Sequence, residues 1–230
     1  LLIDEQHKKQ LIKHLYEFIT EDRLALFYDN LKQRTSRITI VLEDIFHSKN
    51  ASAVLRTADC FGIQNIHIIE NRNQHNTNPN VSLGSSKWLT ETFYNQNKNN
   101  TKECLQSLKK EGFKILATTP HNAKSIHDID VNNGKIALLF GAEKKGLSDL
   151  GLQMSDEKVK IPMYGFTESY NISVAAALCL QAIVSKIRAS TINWQLTEKE
   201  RDEVLLNWLR NSIKESVLIE KRFILELISS

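Results

Sequence analysis

Residues 134–148 read GKIALLFGAEKKGLS: an unbroken apolar run, then a glycine, a charged loop and a second glycine. A half-exposed strand alternates apolar and polar residues, so a continuous apolar run beside a glycine reads as a strand covered on both faces. The same texture recurs in RITIVLED (37–44), IQNIHIIE (63–70) and FKILATT (113–119), and KWLTETFY (87–94) reads as a shorter strand. Helix-periodic segments lie between them. NASAVLRTADCF (50–61) stops at Gly62 and has Ser48 or Asn50 as its candidate N-cap, while a helix over about 101–111 stops at Gly112. Apolar strands alternating with helices predict an α/β fold with a mostly parallel sheet and helices on both faces. A short helical piece near 148–155 precedes KVKIPM (158–163). The polar loop YGFTESYN (164–171) then leads into a small-sided helix that begins ISVAAALCL.

The two ends differ from this centre. Residues 1–35 place Leu11, Leu15, Phe18, Ile19, Leu24, Phe27 and Leu31 at helical spacing, and residues 193–230 are charged and helix-periodic. Helical extensions are therefore expected on either side of a central domain over 36–192. A chain of 230 residues that is 41% hydrophobic and 25% charged has the composition of a soluble globular protein. A net charge of +3 permits a nucleic-acid partner without requiring one. Cys60, Cys104 and Cys179 have no metal-site spacing and lie in apolar-periodic segments, which reads as buried thiols in a reducing, cytoplasmic setting. No apolar run of membrane-spanning length stands out, and LLIDEQHKKQLIKHL lacks a signal-peptide core, so no membrane association is expected.

In an open parallel sheet, ligands bind beyond the carboxyl ends of the strands. Four segments bring polar or glycine residues there: 43–56, 118–119, 141–146 and 163–171. The common nucleotide signatures fail. No G-x-G-x-x-G follows a strand, and GAEKKGLS has Leu147 where a phosphate-holding lysine belongs. The histidines are scattered and no cysteines pair, so no metal site is expected. Ser169 lacks the G-x-S-x-G elbow of a hydrolase. Each remaining polar residue has an ordinary structural reading. Arg56 can pair with Asp59 one helical turn on, Asn50 can cap a helix, Glu143 can pair with Lys144, and Ser169 or Asn171 can cap the next helix.

Three segments nevertheless combine into a resemblance. NASAVLRTADCFGI, LLFGAEKKGLS and IPMYGFTESYNISVAAALCL are similar, in order and spacing, to the three motifs of the TrmH-type RNA 2'-O-ribose methyltransferases of the SPOUT superfamily. The similarity runs from about Arg37 to Arg188. It implies a C-terminal trefoil knot, S-adenosyl-L-methionine as cofactor and a homodimer acting on RNA. It also implies catalytic roles for Arg56, Asn50, Glu143, Ser169 and Asn171, and cofactor contacts from Thr118, Leu139, Gly141, Ile161, Met163 and Tyr170. Two departures stand out: HSKN (47–50) where relatives often have KPHN, and Tyr170 where Leu is more usual. Helical arms without a separate RNA-binding domain resemble the tRNA enzymes that methylate guanosine 18 of the D-loop. Alternatives at this point are another tRNA position, ribosomal RNA, an idle RNA-binding module, and a nucleotide-binding enzyme using the 141–146 loop.

Overall fold

In a computed structural model describing residues 5–75 and 78–229, the chain begins with α1 (Glu5–Leu15) and α2 (Glu21–Leu31). Then come β1 (Thr35–Glu43), α3 (Ser48–Cys60), β2 (Ile63–Ile69), α4 (Pro79–Ser82) and β3 (Thr90–Tyr94). Next are α5 (Asn100–Lys110), β4 (Phe113–Thr118), β5 (Lys124–Ser125) and β6 (Lys135–Phe140). The chain continues through α6 (Asp149–Met154), β7 (Glu157–Lys160), α7 (Ile172–Ala189), α8 (Glu198–Ser212) and α9 (Ser216–Ser229). Two units result. Thr35–Trp194 forms one; the residues up to Arg34, together with those from Gln195 onward, form the other.

The sheet of the first unit has seven strands in the order β3-β2-β1-β6-β4-β7-β5. Every neighbouring pair is parallel. Alternate residues of each strand serve opposite faces, and both faces are covered. Ile38, Ile40 and Leu42 of β1 join a core with Val54 and Leu55 of α3 and Leu180 and Ile183 of α7. Val41, one residue out of phase, joins Cys104, Leu105 and Leu108 of α5 on the other side. α3 ends where Gly62 takes φ +75°, a conformation that costs a residue with a Cβ.

Some details depart from the sequence reading. Ser48 and Asn50 lie inside the first turn of α3, and His47 holds the N-cap position without a side-chain cap bond. Cys60 is exposed at the last position of α3, where it faces away from the core; Cys104 and Cys179 are buried as expected. Burial pushes the Cys179 thiol up to about 12, which keeps it inert. The two-residue β5 and the single turn of α4 carry too few residues to show a period. α7 is long and apolar enough to cross a membrane by composition, with a mean hydropathy of 1.5. Ile172, Ala176, Cys179, Leu180, Ile183, Val184 and Ile187 are nevertheless buried along one stripe, so it serves as a core helix.

The helical unit packs Leu11 and Leu15 of α1, Phe27 and Leu31 of α2, and Trp208 and Leu209 of α8, all at most 3% exposed. Phe27 meets the Trp208 ring edge-on at 5.5 Å. The Arg34 guanidinium lies 5.2 Å over the same ring, a cation–π contact that lets a charged residue be buried. Thr197 opens α8 with a reciprocal capping box to Glu200.

His67 of β2 is buried, with Nδ1 3.3 Å from the Tyr94 hydroxyl. Burial lowers its pKa from the ordinary 6.5 to about 4. The unfolded chain therefore takes up this proton first as the pH falls. The neutral ring's contribution is complete above about pH 6.5 and is lost progressively down to about pH 4, an effect of roughly 3 kcal/mol. Denaturant titrations of His67→Gln across that window are expected to show a shallower loss of stability than the wild type.

Candidate active site

The register pairs Leu42 with Phe140, so the chain leaves β1 and β6 side by side at the carboxyl edge. The strand order diverges here: β2 and β3 extend from β1, while β4, β7 and β5 extend from β6. Such a switch point leaves a crevice that the loops above it can line.

The loop after β6 folds back on itself. A Cβ on Gly141 would sit 2.3 Å from backbone atoms of Gly146 and Leu147, so only glycine fits there. The fold-back is closed by the Gly146 N–H donating to the Ala142 carbonyl at 2.7 Å. Its far end is tied to β1. Glu43 is 1% exposed, and its carboxylate accepts from Thr101 Oγ1 at 2.6 Å, Ser148 Oγ at 2.7 Å and Ser148 N at 2.9 Å. A buried carboxylate with its lone pairs satisfied fixes whatever donates to it. Here that is the start of α6, which Ser148 caps through Gly151 N.

Glu143, in the middle of this loop, gathers the other segments. Its Oε1 accepts from Asn50 Nδ2 at 2.9 Å and His47 N at 3.2 Å, and its Oε2 accepts from Phe46 N at 3.2 Å. The amide of Asn50 continues the chain, its Oδ1 accepting from Asn171 Nδ2 at 3.2 Å. Asn171 in turn caps α7, accepting from Ser173 N at 2.9 Å. Three segments far apart in sequence thus meet through Glu143, Asn50 and Asn171. Partial burial alone would push the Glu143 carboxyl up. The bonds from Asn50, from its own backbone N–H and from Phe46 and His47 outweigh it, so its pKa lies below the usual range.

Arg56 lies six residues beyond Asn50, about 9 Å further along the helix. It is exposed, and the pairing with Asp59 anticipated from spacing is not formed. Among the described residues the Arg56 side chain has neither a hydrogen bond nor an ion pair, so its charge is available to a ligand.

Two cavities adjoin this junction. The smaller, about 330 Å³, lies beyond β4, β6 and β7 and is bounded by Thr118, Gly141, Ile161, Met163, Tyr170 and, next to it, Ser169 and Asn171. Leu139 is placed differently. Its side chain is fully buried in the α5-side core, and its link to the cavity wall is its carbonyl, which accepts from Thr118 Oγ1 at 2.8 Å. Ile161, Met163, Ile172 and Cys179 make part of the wall apolar. The backbone N–H groups of residues 163–170 make no hydrogen bond within the described residues. Apolar walls with unspent backbone donors suit a flat heterocycle whose edge seeks hydrogen bonds, and the volume lies in the range of small-molecule sites.

The larger cavity, about 630 Å³, shares Ala142, Glu143 and Gly146 with the first. It is lined by residues to which the sequence reading gave no role, among them Glu43, Asp44, Phe46, Arg72 and Lys98. No local signal marks them, since they come from four loops joined only by the fold.

Comparison with known proteins agrees with this geometry. Residues 37–181 match the SpoU rRNA Methylase family. The chain is 44% identical over 208 residues to a Borreliella burgdorferi protein named tRNA (guanosine(18)-2'-O)-methyltransferase, covering 90% of this chain and 93% of that one. Its fold is similar to the crystal structure of the A. aeolicus TrmH/SpoU tRNA modifying enzyme (TM-score 0.73, 26% identity), covering 84% of this chain and 98% of that one. The fold is also similar to the SpoU methyltransferase AviRb from Streptomyces viridochromogenes, solved in complex with AdoMet (TM-score 0.57, 21% identity), covering 70% and 62% of the two chains. The chain belongs to the SpoU methylase family, the TrmH-type branch of the SPOUT methyltransferases.

Proposed function

We propose that this chain transfers a methyl group from S-adenosyl-L-methionine to a ribose 2'-hydroxyl of tRNA, with guanosine 18 of the D-loop as its target. The observation that carries the reading is the junction itself: Glu143, Asn50 and Asn171 are joined where the two cavities meet. The name of the 44%-identical relative supports the target nucleotide.

The smaller cavity is assigned to the cofactor, whose chemistry when bound is to offer an electrophilic methyl on a sulfonium. Ile161, Met163 and the unspent backbone donors of 163–170 would hold its adenosyl part. The chain's own residues then have to align the ribose oxygen and raise its nucleophilicity. A guanidinium keeps its proton too tightly to be an ordinary general base. Arg56 is therefore assigned to the phosphate beside the ribose and to the charge that develops on the hydroxyl oxygen. Asn50 and Asn171 hold the reacting segment in place, with Glu143 fixing Asn50, and Ser169 stands at the cofactor cavity beside them.

Two architectural expectations belong to the same proposal. β7 enters between β4 and β5, which the chain joins through residues 119–123 alone. This insertion supports the family's threaded knot. Tyr164 and Phe166 are 97% and 108% exposed, and Val174 and Leu178 of α7 are also exposed. Large apolar groups so placed support a homodimer in which a second copy covers them. A tRNA substrate and cysteines without disulfides fit a cytoplasmic enzyme.

The deciding experiment is incubation with radiolabelled S-adenosylmethionine and, in parallel, unmodified tRNA or ribosomal RNA, followed by nucleoside analysis. Label in 2'-O-methylguanosine is expected, and label only in ribosomal RNA would overturn the substrate. Arg56→Ala should lower the methylation rate by about 100-fold or more while cofactor affinity is kept; undiminished activity would remove Arg56 from the mechanism. The lowered pKa of Glu143 means its stabilising contribution is present above the ordinary carboxyl pKa and lost as pH falls through the lower folded value. The stability gap between wild type and Glu143→Gln should accordingly stay constant near neutrality and close only below about pH 4. Sedimentation equilibrium should give a dimer, and an active monomer would contradict the shared interface.

A further inference from the structure

The larger cavity has so far served only as a neighbour, yet its lining is specific. Asp44 adopts φ +54°, a conformation that residues other than glycine, Asn and Asp seldom take. Its Oδ1 accepts from the backbone N–H groups of Asn71 at 2.7 Å, Arg72 at 2.8 Å and, more weakly, Asn73 at 3.4 Å. Its carbonyl accepts from Asn73 Nδ2 at 2.7 Å. One carboxylate oxygen is thus spent on building the loop. The other, Oδ2, has no hydrogen-bond partner among the described residues, and Asp44 lines the cavity. A carboxylate oxygen accepts and cannot donate, so what it complements is a hydrogen-bond donor, and the N–H groups of a base edge are of that kind.

Beside it stands Phe46, 67% exposed at the same cavity. Its position is fixed because its own N–H and that of His47 are held by the Glu143 carboxylate. The His47 ring meets the phenyl edge-to-face at 4.9 Å and 77°. An exposed aromatic ring on an immobilised backbone is a stacking platform. Around the rim lie Arg72, Lys98, Lys144 and Lys145, all exposed and none engaged in an ion pair among the described residues. The same lining carries the carboxylates of Glu43, Asp44, Glu143 and Asp149, so the cavity combines exposed cations, which can meet phosphates, with acceptors, which can meet a base edge.

We propose that this cavity receives the base of the target nucleotide, turned out of its stack, and that Phe46 holds it while Asp44 selects it. The ring stacks on Phe46, and Asp44 Oδ2 accepts from the N1–H and exocyclic amine of a guanine, whose Watson–Crick edge carries those donors. Arg72, Lys98, Lys144 and Lys145 take the flanking phosphates. The inference rests on the methyl-transfer reading, because the ribose of such a nucleotide lies toward Glu143 and the cofactor cavity that shares its wall.

The test compares tRNAs carrying guanosine or inosine at the target position, since inosine lacks only the exocyclic amine. With the wild type, kcat/KM for the inosine substrate should fall by about tenfold or more. Asp44→Asn keeps one carbonyl oxygen for the three backbone N–H groups but converts the other oxygen to a donor. Its guanosine-to-inosine ratio should therefore shrink to within about twofold, with cofactor affinity unchanged. Phe46→Ala should raise KM about tenfold for both substrates and leave the ratio intact. Equal use of inosine by the wild type, a full ratio in Asp44→Asn, or an unchanged KM in Phe46→Ala each overturns the assignment. Absence of methylation of any RNA by a wild-type protein that binds the cofactor is a different failure: it overturns the reaction, and the base site with it.

Discussion

The carboxylate of Glu143 is the point on which the site depends. It stands on a loop that exists because Gly141 has no side chain, and it accepts from Phe46, His47 and Asn50 of a loop nearly a hundred residues earlier. Through Asn50 it reaches Asn171, which starts the helix bounding the smaller cavity. Each bond is modest taken singly. Their value is geometric, because one rigid anion replaces three independent loop positions with a single coupled one. That suits a reaction whose rate depends on aligning two bound partners.

The sheet was legible in the sequence for a simple reason. Strands buried on both faces, such as IALLF and IVL, can carry polar side chains only where a partner is supplied, as the Asn65 carbonyl is for Thr39 Oγ1. Helix ends were readable where a left-handed glycine was needed, as at Gly62, and less so at helix starts. Asn50 looked like a cap because Asn commonly is one; its amide is instead drawn to Glu143 by a contact across 93 residues. Local chemistry cannot reveal such a choice. Cys60 was misread for a related reason: its segment is periodic, but the helix ends there and its last position turns outward.

The candidate site divides along the same line. Residues within the three motifs were recognisable by resemblance, and the fold brings Thr118, Gly141, Ile161, Met163 and Tyr170 to one cavity. Leu139, identified by the same resemblance, turns out to serve the core with its side chain and the site wall with its carbonyl alone. Asp44 and Phe46 were not singled out, because an Asp and a Phe after a strand carry no signature. Their meaning comes from the unusual backbone of one, the exposure of the other, and the loop carrying Arg72 that only the register of β1 against β2 brings near.

The helical unit draws its residues from both sides of the sheet unit in sequence. Leu11, Leu15 and Phe27 belong to the part of the chain made early, whereas Trp208 and Leu209 belong to the part made late. During synthesis the N-terminal helices must therefore wait, with their apolar faces uncovered, until the entire sheet unit has emerged. The sheet unit has no such debt, since its strands and covering helices are contiguous from Thr35 to Trp194. The discontinuous unit consequently completes its core only after Trp208 and Leu209 have been made, later than the last residue of the sheet unit.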